Sequence, residues 1–339
     1  MPTIFDVARE AGVSTAAVSL VLNDPRTTRV GAEKRKEVLR AARSLGYTPN
    51  LLAKGLAKRK TGILGLVVPM RDPIFFNYFI AEVLAGIQSS VMERGHHLMI
   101  YSHAARTGKI TRSQVLQSRY VDGLVFFNTR LCTASDMAAT IHELRTFVIP
   151  FVMVNAYYGH DAVNYVGVDD REIGFSAGKY LAAKGHKRIA LLDGARRSPV
   201  SGPIREGFRT ALREMGIRPA DELTAYGEFD KDTIDQAVRG WMRRKKFPTA
   251  IFCSDDQMAP DVYDALKMQG RRVREDVAVI GRGDLTVTRH LSPKLTTIRI
   301  PLFEMGRRAA ELLGDVVKEP GQSPQRILLP TTLVERESA

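Results

Sequence analysis

Residues 3 to 23, TIFDVAREAGVSTAAVSLVLN, contain two short helical patterns separated by a glycine. Thr3 is suited to cap the first helix, and Asp6, three residues later, completes a capping box. Gly12 permits a tight turn because it accepts a positive φ, and Ser14 is suited to cap a second helix. The apolar side chains that would pack between the helices are Ile4, Val7, Ala8, Ala11, Ala17, Val18 and Val21. This pattern predicts a helix-turn-helix unit, whose second helix enters the major groove of DNA.

The outward face of the second helix carries the residues expected to contact DNA. With the two capping residues included, the predicted contacts are Thr3, Ser14, Thr15, Ala16, Ser19, Leu20 and Asn23. The alternative is an ordinary pair of surface helices that binds no nucleic acid. The distribution of charge favours DNA: up to Lys60 the chain has 12 Lys or Arg and 5 Asp or Glu, whereas the remaining 279 residues have 38 and 32. A basic N-terminal unit on a nearly balanced body is typical of a domain that meets phosphate.

The basic unit continues beyond the motif. A third helix is expected over residues 32 to 45, with Gly46 as its stop signal, and it would close a small core over the first two helices. Residues 50 to 57, NLLAKGLA, have the pattern of a short helix that would not persist alone. Its leucines either pack against a neighbouring domain or order on DNA, where one of them enters the minor groove.

From residue 61 onward, short apolar strands alternate with amphipathic helices as far as residue 280, beginning with TGILGLVVPM at residues 61 to 70. This alternation is typical of parallel, doubly wound sheets with helices on both faces. The strands are too many for one comfortable sheet, so we expect two α/β lobes. Ligands bind such sheets at the carboxyl ends of the strands, and a cleft between two lobes would collect those ends.

The sequence offers no catalytic, metal or cofactor site. No glycine-rich nucleotide fingerprint follows a strand, and Gly281-Arg282-Gly283 is too short to count as one. Cys132 and Cys253 lie in apolar surroundings and are expected to be buried, reduced thiols. Because no apolar run reaches membrane-spanning length and charged residues interrupt the N-terminus, we expect a cytoplasmic protein. These features disfavour an α/β enzyme with an accessory DNA-binding head and a periplasmic solute receptor.

The whole chain resembles the lactose-repressor (LacI/GalR) family of bacterial transcription regulators. The segments that carry the resemblance are TIFDVAREAGVSTAAVSLVLN with GYTPNLLAKGL, AKGHKRIALLDG at 183 to 194, REGFRTAL at 205 to 212, PTAIFCSDDQMA at 248 to 259 and VAVIGRGDLTVTRHLSPKLTTIRIPLFEMGRRAAELL at 277 to 313. The resemblance implies a homodimer that binds a near-palindromic operator through paired heads. It also implies a hinge helix that orders on DNA and a periplasmic-binding-protein-like core, in which the chain crosses three times between two lobes around an effector cleft. No leucine-heptad tail follows Val334, which favours a dimer over a tetramer.

The expected fold is therefore an all-α helix-turn-helix head joined by a hinge helix to an α/β core of two doubly wound lobes. The expected domains are a head at 1–48, a hinge helix and linker at 49–60, and an effector-binding and dimerisation core at 61–339. The expected function is an effector-controlled, sequence-specific repressor of carbohydrate uptake or metabolism genes, with a sugar or glycoside as effector. The alternative is a regulator with a non-sugar ligand or with no small-molecule ligand.

The resemblance also implies roles for individual residues. Leu56 matches the minor-groove leucine of the family, with Ala53 and Lys54 as its neighbours, and many members have Arg in place of Leu20. The positions that match the effector site are Phe75, Phe76, Asn155, Asp169, Phe229 and Asp256. Asp169 and Asp256 are equally suited to cap the helices that follow their strands, and Phe229 to pack in a lobe core.

Two polar anchors common in the family's effector site are absent. Ile204 stands where members commonly have Arg, and Gly283 stands where they commonly have Asp. Arg282, Asp284 and Arg205 are the candidate replacements, and Arg282 lies directly after an apolar strand, where ligand-facing residues are expected. We therefore add Arg282 to the predicted effector site.

Overall fold

A computed structural model of the chain describes residues 2–24, 26–48, 60–70, 78–104, 120–128, 134–155, 159 and 162–339. The chain divides into two compact units, Met1–Gly62 and Ile63–Ala339. Several predicted features lie outside the described residues, namely the hinge helix with Ala53, Lys54 and Leu56, the helix expected over 109–119, the aromatic residues Phe75 and Phe76, and Cys132.

The first unit contains the three predicted helices. They are α1 (Ile4–Ala11), α2 (Thr15–Asn23) and α3 (Ala32–Ser44). Their shared core is built on Val7, Val18, Val21 and Val38, whose side chains are fully buried. Burial of apolar side chains from all three helices provides the main force that holds so small a unit together.

Local hydrogen bonds fix the ends of α1 and α2. The Asp6 carboxylate accepts hydrogen bonds from the Thr3 backbone N–H at 2.9 Å and from the Thr3 hydroxyl at 2.7 Å, which completes the capping box. Gly12 ends α1 with φ at 60°. The Ser14 hydroxyl oxygen accepts the Ala17 N–H at 3.2 Å and caps α2. The predicted caps and turn are therefore confirmed, and they set the angle at which α2 leaves α1.

The second unit, within the described residues, contains two six-stranded sheets. The strands of the first sheet are β1 (Ile63–Met70), β2 (His97–Ala104), β3 (Gly123–Phe127), β4 (Phe151–Val154), β5 (Tyr165–Gly167) and β11 (Arg326–Leu328). Their order is β11-β5-β4-β3-β1-β2, and every pair is parallel. The helices of this first lobe are α4 (Tyr78–Glu93), α5 (Ala134–Thr146) and α10 (Leu302–Lys318).

The second sheet forms the second lobe. Its strands are β6 (Ile189–Asp193), β7 (Thr224–Tyr226), β8 (Ala250–Cys253), β9 (Ala278–Gly283), β10 (Thr296–Arg299) and β12 (Thr332–Val334). Their order is β12-β10-β9-β8-β6-β7, and only β12 runs antiparallel to its neighbour. The helices of this lobe are α6 (Asp170–Ala183), α7 (Ser201–Glu214), α8 (Lys231–Met242) and α9 (Ala259–Met268).

The chain passes between the two sheets three times, after β5, after β10 and after β11. The predicted two-lobed, doubly wound core and its three crossings are thereby confirmed. Because the strands of both sheets are parallel except for β12, the carboxyl ends of the parallel strands in each sheet meet at one edge, and these edges are where such folds bind ligands.

Close helix packing explains Gly207, the glycine of REGFRTAL at residues 205 to 212. A Cβ atom at Gly207 of α7 would lie 1.8 Å from the backbone oxygen of Arg171, and one at Gly174 of α6 would lie 2.0 Å from the backbone oxygen of Ile204. The backbones of α6 and α7 therefore touch, which only glycine permits at these two positions. This contact fixes the rotation of α7, and thus the direction in which each of its side chains points.

Candidate DNA-binding face and effector cleft

The exposed face of α2 is the candidate DNA-binding surface. Ala16 and Asn23 are exposed, Thr15 and Ser19 are half-buried, and Leu20 is 38 % exposed. The Asn23 side-chain amide donates to the Ser19 hydroxyl at 3.2 Å, so two of the predicted contacts are already oriented together. The sequence of α2 has no acidic residue. The face can therefore approach phosphate without carboxylate repulsion and can offer both hydroxyl and apolar groups to base edges.

At the carboxyl edge of the second sheet, the side chain of Asp193 ends β6 and is completely buried. Its Oδ1 accepts hydrogen bonds from the Gly194 N–H at 2.9 Å and the Ser254 hydroxyl at 3.0 Å. Its Oδ2 accepts none from the described residues and lies 3.9 Å from Nη1 of Arg205. Burial raises the pKa of Asp193 above its ordinary value. Asp193 is not among the residues that the sequence predicts for the site, although an Asp that ends an apolar strand just before a glycine is a usable signal.

The predicted effector residue Arg282 lies on β9 in a buried ion pair. Its Nη2 donates to the Asp170 carboxylate at 2.7 Å, and the two side chains are 4 % and 0 % exposed. One face of the guanidinium is therefore committed to the start of α6. Contact between Arg282 and an effector stays a prediction, and Asp170 is a partner that the sequence did not reveal.

The predicted effector residue Asp169 is exposed and caps α6. Its Oδ1 accepts the backbone N–H groups of Arg171 at 2.9 Å and Glu172 at 3.1 Å. Capping and ligand binding were the two alternatives for this residue, and the structure shows the first. The second carboxylate oxygen makes no part of this cap, so ligand contact stays a prediction.

Asp256 is fully buried behind β9 rather than on an open face. Its carboxylate accepts the Thr297 hydroxyl at 2.7 Å and the Leu285 N–H at 3.0 Å. A Cβ atom at Gly281 would lie 2.0 Å from Oδ1, and one at Gly283 would lie 3.0 Å from Oδ2. Gly283 also has φ at 139°, which side chains rarely adopt. An Asp side chain at position 283 would therefore collide with Asp256, which explains why this family anchor is absent here.

Burial raises the pKa of Asp256 to about 7 from an ordinary value of 3.8. The folded state thus holds a proton that the unfolded chain releases, so the stability this group contributes is full below about pH 4 and is lost as pH rises through 7.

In Asp256→Asn, the amide can accept the Leu285 N–H and donate to the Thr297 hydroxyl. We expect this variant to gain stability relative to the wild type between pH 4 and pH 7, measured by urea unfolding at several pH values. The raised pKa would be contradicted if the free energies of unfolding of the variant and the wild type differed by the same amount at every pH from 4 to 7.

Asn155 and Phe229 follow the ends of β4 and β7, each with an unusual backbone. Asn155 has φ at 64° and Phe229 has φ at 57°; strained residues of this kind cluster at ligand sites. The Asn155 amide donates to the Asn128 backbone oxygen at 2.9 Å, and its Oδ1 is buried with no hydrogen bond from the described residues. Phe229 is half-buried beside Gly194. They belong to different lobes, and each lies at the carboxyl edge of its sheet.

The structure explains the other missing anchor as well. Ile204 is fully buried in the apolar core between α6 and α7, a place where an arginine would lose its hydration. Asp284, a candidate replacement, has a side chain only 3 % exposed, and it accepts hydrogen bonds from Arg299 at 2.7 Å and from Arg336. Its carboxylate is thus already engaged within the second lobe.

Across the described residues, no group of three or more His, Cys, Asp or Glu side chains is arranged to hold a metal ion. No helix in the same part of the chain is long and apolar enough to cross a membrane.

Comparison with known proteins identifies both units. Residues 3–50 match the family described as bacterial regulatory proteins, lacI family, and residues 179–339 match the periplasmic binding protein-like domain. The ribose operon repressor of Haemophilus influenzae is 31 % identical over 339 residues, which is 100 % of this chain and 98 % of the relative. The chain belongs to the lacI family. The regulator CelR of Thermobifida fusca is 32 % identical, over 99 % of this chain and 98 % of its own.

Solved lacI-family structures confirm the fold. A CelR–cellobiose complex has a TM-score of 0.74 and 30 % identity, with each chain covered completely. The lac repressor dimer bound to operator and the anti-inducer ONPF has a TM-score of 0.87 at 24 % identity, over 99 % of this chain and 98 % of the other. Membership in this family makes the chain a DNA-binding transcription regulator and not an enzyme, as the sequence predicts. The predicted cytoplasmic location agrees with a family of regulators that act on bacterial DNA.

Proposed function

We propose that this lacI-family regulator is a repressor that binds a near-palindromic operator as a homodimer and is controlled by a sugar or glycoside. The observation that carries the proposal is the exposed face of α2, free of acidic residues, in a capped three-helix head. We propose the domains that the sequence predicts, namely a head at 1–48, a hinge helix and linker at 49–60 and a core at 61–339. In the hinge, Leu56 acts as a wedge in the minor groove beside Ala53 and Lys54.

On the DNA side, the exposed groups of α2 divide into two roles. The hydroxyls of Thr15 and Ser19 contact phosphates, together with those of the capping residues Thr3 and Ser14, and they fix the register of the helix in the groove. Leu20, Ala16 and Asn23 read bases, and Leu20 favours an apolar partner such as the methyl group of thymine.

Leu20→Arg is expected to change which base is preferred at one position of each half-site. A leucine side chain can only make apolar contact, whereas an arginine pairs with the two acceptors of guanine, which is worth roughly 1 to 3 kcal/mol of discrimination. Selection of operators from a randomised duplex library by the wild type and the variant measures this preference. Ser19→Ala is the matched control on the same face, and it should weaken binding without changing the selected bases. An identical preference in Leu20→Arg and wild type would rule out Leu20 as a base contact.

On the effector side, the groups at the carboxyl edges suit a ligand rich in hydroxyls. Oδ2 of Asp193 and Oδ1 of Asn155 accept no hydrogen bond from the described residues and can accept one from a ligand hydroxyl. The aromatic ring of Phe229 offers a surface for a sugar face. Phe75, Phe76, Asp169, Asp256 and Arg282 complete the proposed site. The names of the relatives support a carbohydrate, since one is a ribose operon repressor and another was solved with cellobiose.

Calorimetric titration of the full-length protein tests the ligand class. We expect binding of one or more sugars from a panel that includes ribose, cellobiose, other glycosides and nucleosides, and a lower operator affinity when the ligand is present. The lobes have one arrangement that binds DNA and one that does not. The ligand lowers the operator affinity because it binds more tightly to the second arrangement. A clean hit outside the carbohydrates would replace the sugar with another ligand class. No hit at millimolar concentration would favour a regulator without a small-molecule ligand.

A further inference from the structure

A polar pocket lies on the outer edge of the second lobe, where α7 passes the edge strand β7. Its volume is about 620 Å³, and its lining includes Tyr226 and three arginines, Arg196, Arg205 and Arg209. The DNA-binding head does not use these side chains, and Arg205 also approaches the effector cleft, where it lies 3.9 Å from Asp193. A pocket of this volume holds a molecule of metabolite size.

Tyr226 holds two of the guanidinium groups in place. The guanidinium carbon of Arg196 lies 4.3 Å from the centre of the tyrosine ring, and that of Arg205 lies 5.8 Å from it. Nη1 of Arg205 also donates a hydrogen bond to the Tyr226 hydroxyl. Attraction between a cation and an aromatic ring, together with this hydrogen bond, positions two positive charges beside one ring before any ligand arrives.

The charges of these arginines are only partly neutralised by carboxylates. Arg196 makes no ion pair with the described residues, since Glu228 accepts the backbone N–H of Arg196 rather than its guanidinium. Arg205 is 3.9 Å from the buried Asp193.

The third arginine of the pocket, Arg209, forms an ion pair that a bound anion can replace. It pairs with Asp221 at 2.7 Å, but the Asp221 side chain is 85 % exposed. Exposed pairs contribute little stability, so an incoming anion can displace Asp221 at small cost.

The pocket contains Arg205, the residue that follows Ile204 on α7. Successive helical residues are rotated by about 100°, so Arg205 faces the sheet edge while its neighbour Ile204 faces the core. The basic side chain that members of the family commonly direct from the position of Ile204 is thus presented one residue later, toward β7.

We propose that this pocket binds a small metabolite through a phosphate monoester. A guanidinium offers a planar pair of donors that matches two phosphate oxygens, and three such groups around one tyrosine suit a dianion better than a single carboxylate. Because Arg205 also lies against Asp193 at the floor of the effector cleft, the occupant of this pocket is in electrostatic contact with the cleft.

Calorimetric titration of the full-length protein with inorganic phosphate, glucose 6-phosphate and glucose tests the proposal. We expect both phosphates to bind, with Arg196→Gln and Arg209→Gln each lowering the affinity about tenfold or more, the loss of one charge-assisted contact. Arg213→Gln is the matched control, because Arg213 lies one turn beyond Arg209 on α7, is exposed and is not part of the pocket. It should leave the affinity unchanged.

Three results would overturn the proposal. The first is failure of both phosphates to bind at millimolar concentration. The second is an equal loss in Arg213→Gln, which would mean diffuse attraction to a basic surface. The third is equal binding of succinate, a dicarboxylate, which would remove the preference for phosphate.

The effector cleft is a separate outcome of the same experiment. Loss of glucose 6-phosphate binding in Asp193→Asn, with full binding in Arg196→Gln, would place this ligand in the cleft through its sugar hydroxyls and also overturn the edge site. Sugar binding in the cleft is measured with the non-phosphorylated panel, so failure of the edge site leaves that proposal standing.

Discussion

Deletion of residues 1 to 60 is expected to abolish specific operator binding and leave a folded core. Among the described residues, the apolar core of the head is built from residues of the head itself. The remaining chain has its own apolar clusters, one of which extends through both lobes. The deletion removes α2 together with 12 of the basic residues. A mobility-shift assay measures operator binding, and circular dichroism with gel filtration checks that the truncated protein is folded. Full specific affinity in the truncated protein would refute the assignment of the head.

A single substitution in α2 tests the DNA contact without removing the head. Ala16 is exposed in the first turn of α2, where a glutamate is compatible with the helix because it lies near the positive end of the helix dipole. Ala16→Glu should keep the head folded and strongly weaken DNA binding, because its carboxylate faces phosphate. The wild-type affinity should also fall steeply with salt, since each neutralised phosphate releases counterions. A salt-independent affinity would argue against this interface.

Arg282→Met is expected to lower the free energy of unfolding by about 3 to 5 kcal/mol, because it leaves the buried Asp170 carboxylate without its ion-pair partner. The double variant Asp170→Asn, Arg282→Met should recover much of the loss, since the isolated charge is then removed as well. Urea unfolding measures both. Arg239→Met, at an exposed position of α8, is the matched control and should change stability by less than about 0.5 kcal/mol.

The same variants show whether Arg282 also binds the effector. If the ion pair is purely structural, the double variant regains the effector affinity along with the stability. If Arg282 contacts the ligand, the double variant folds but binds the effector weakly. Stability of Arg282→Met equal to that of Arg239→Met would mean that the pair does not hold the start of α6 to β9.

The head shows how much short-range sequence signals determine. The bond between Thr3 and Asp6, the turn at Gly12 and the cap at Ser14 join residues that are neighbours in the chain. Their energies depend little on the rest of the protein, so pattern and residue type were sufficient to predict the helices. The outward face of α2 followed, because helical spacing decides which side chains a small core leaves exposed.

In the core, the strands and helices are predictable from the sequence to within a few residues as far as β9. The last two strands, β11 and β12, are not. β11 and β12 are three residues long and only partly buried, so they carry little apolar periodicity. Their assignment depends on which sheet edge the chain reaches after crossing between the lobes. The family resemblance supplied the three crossings, and periodicity alone did not.

The effector cleft and the edge pocket depended almost entirely on tertiary structure. Asp170 and Arg282 are 112 residues apart in the chain, and Asp256 meets Thr297 across 41 residues. Hydrophobic period and capping are local, so the kinds of element and the positions of strand ends can be predicted from the residues alone. Which carboxylate faces which arginine depends on the folded chain, because desolvation and pairing of charges depend on the groups that lie within a few ångströms.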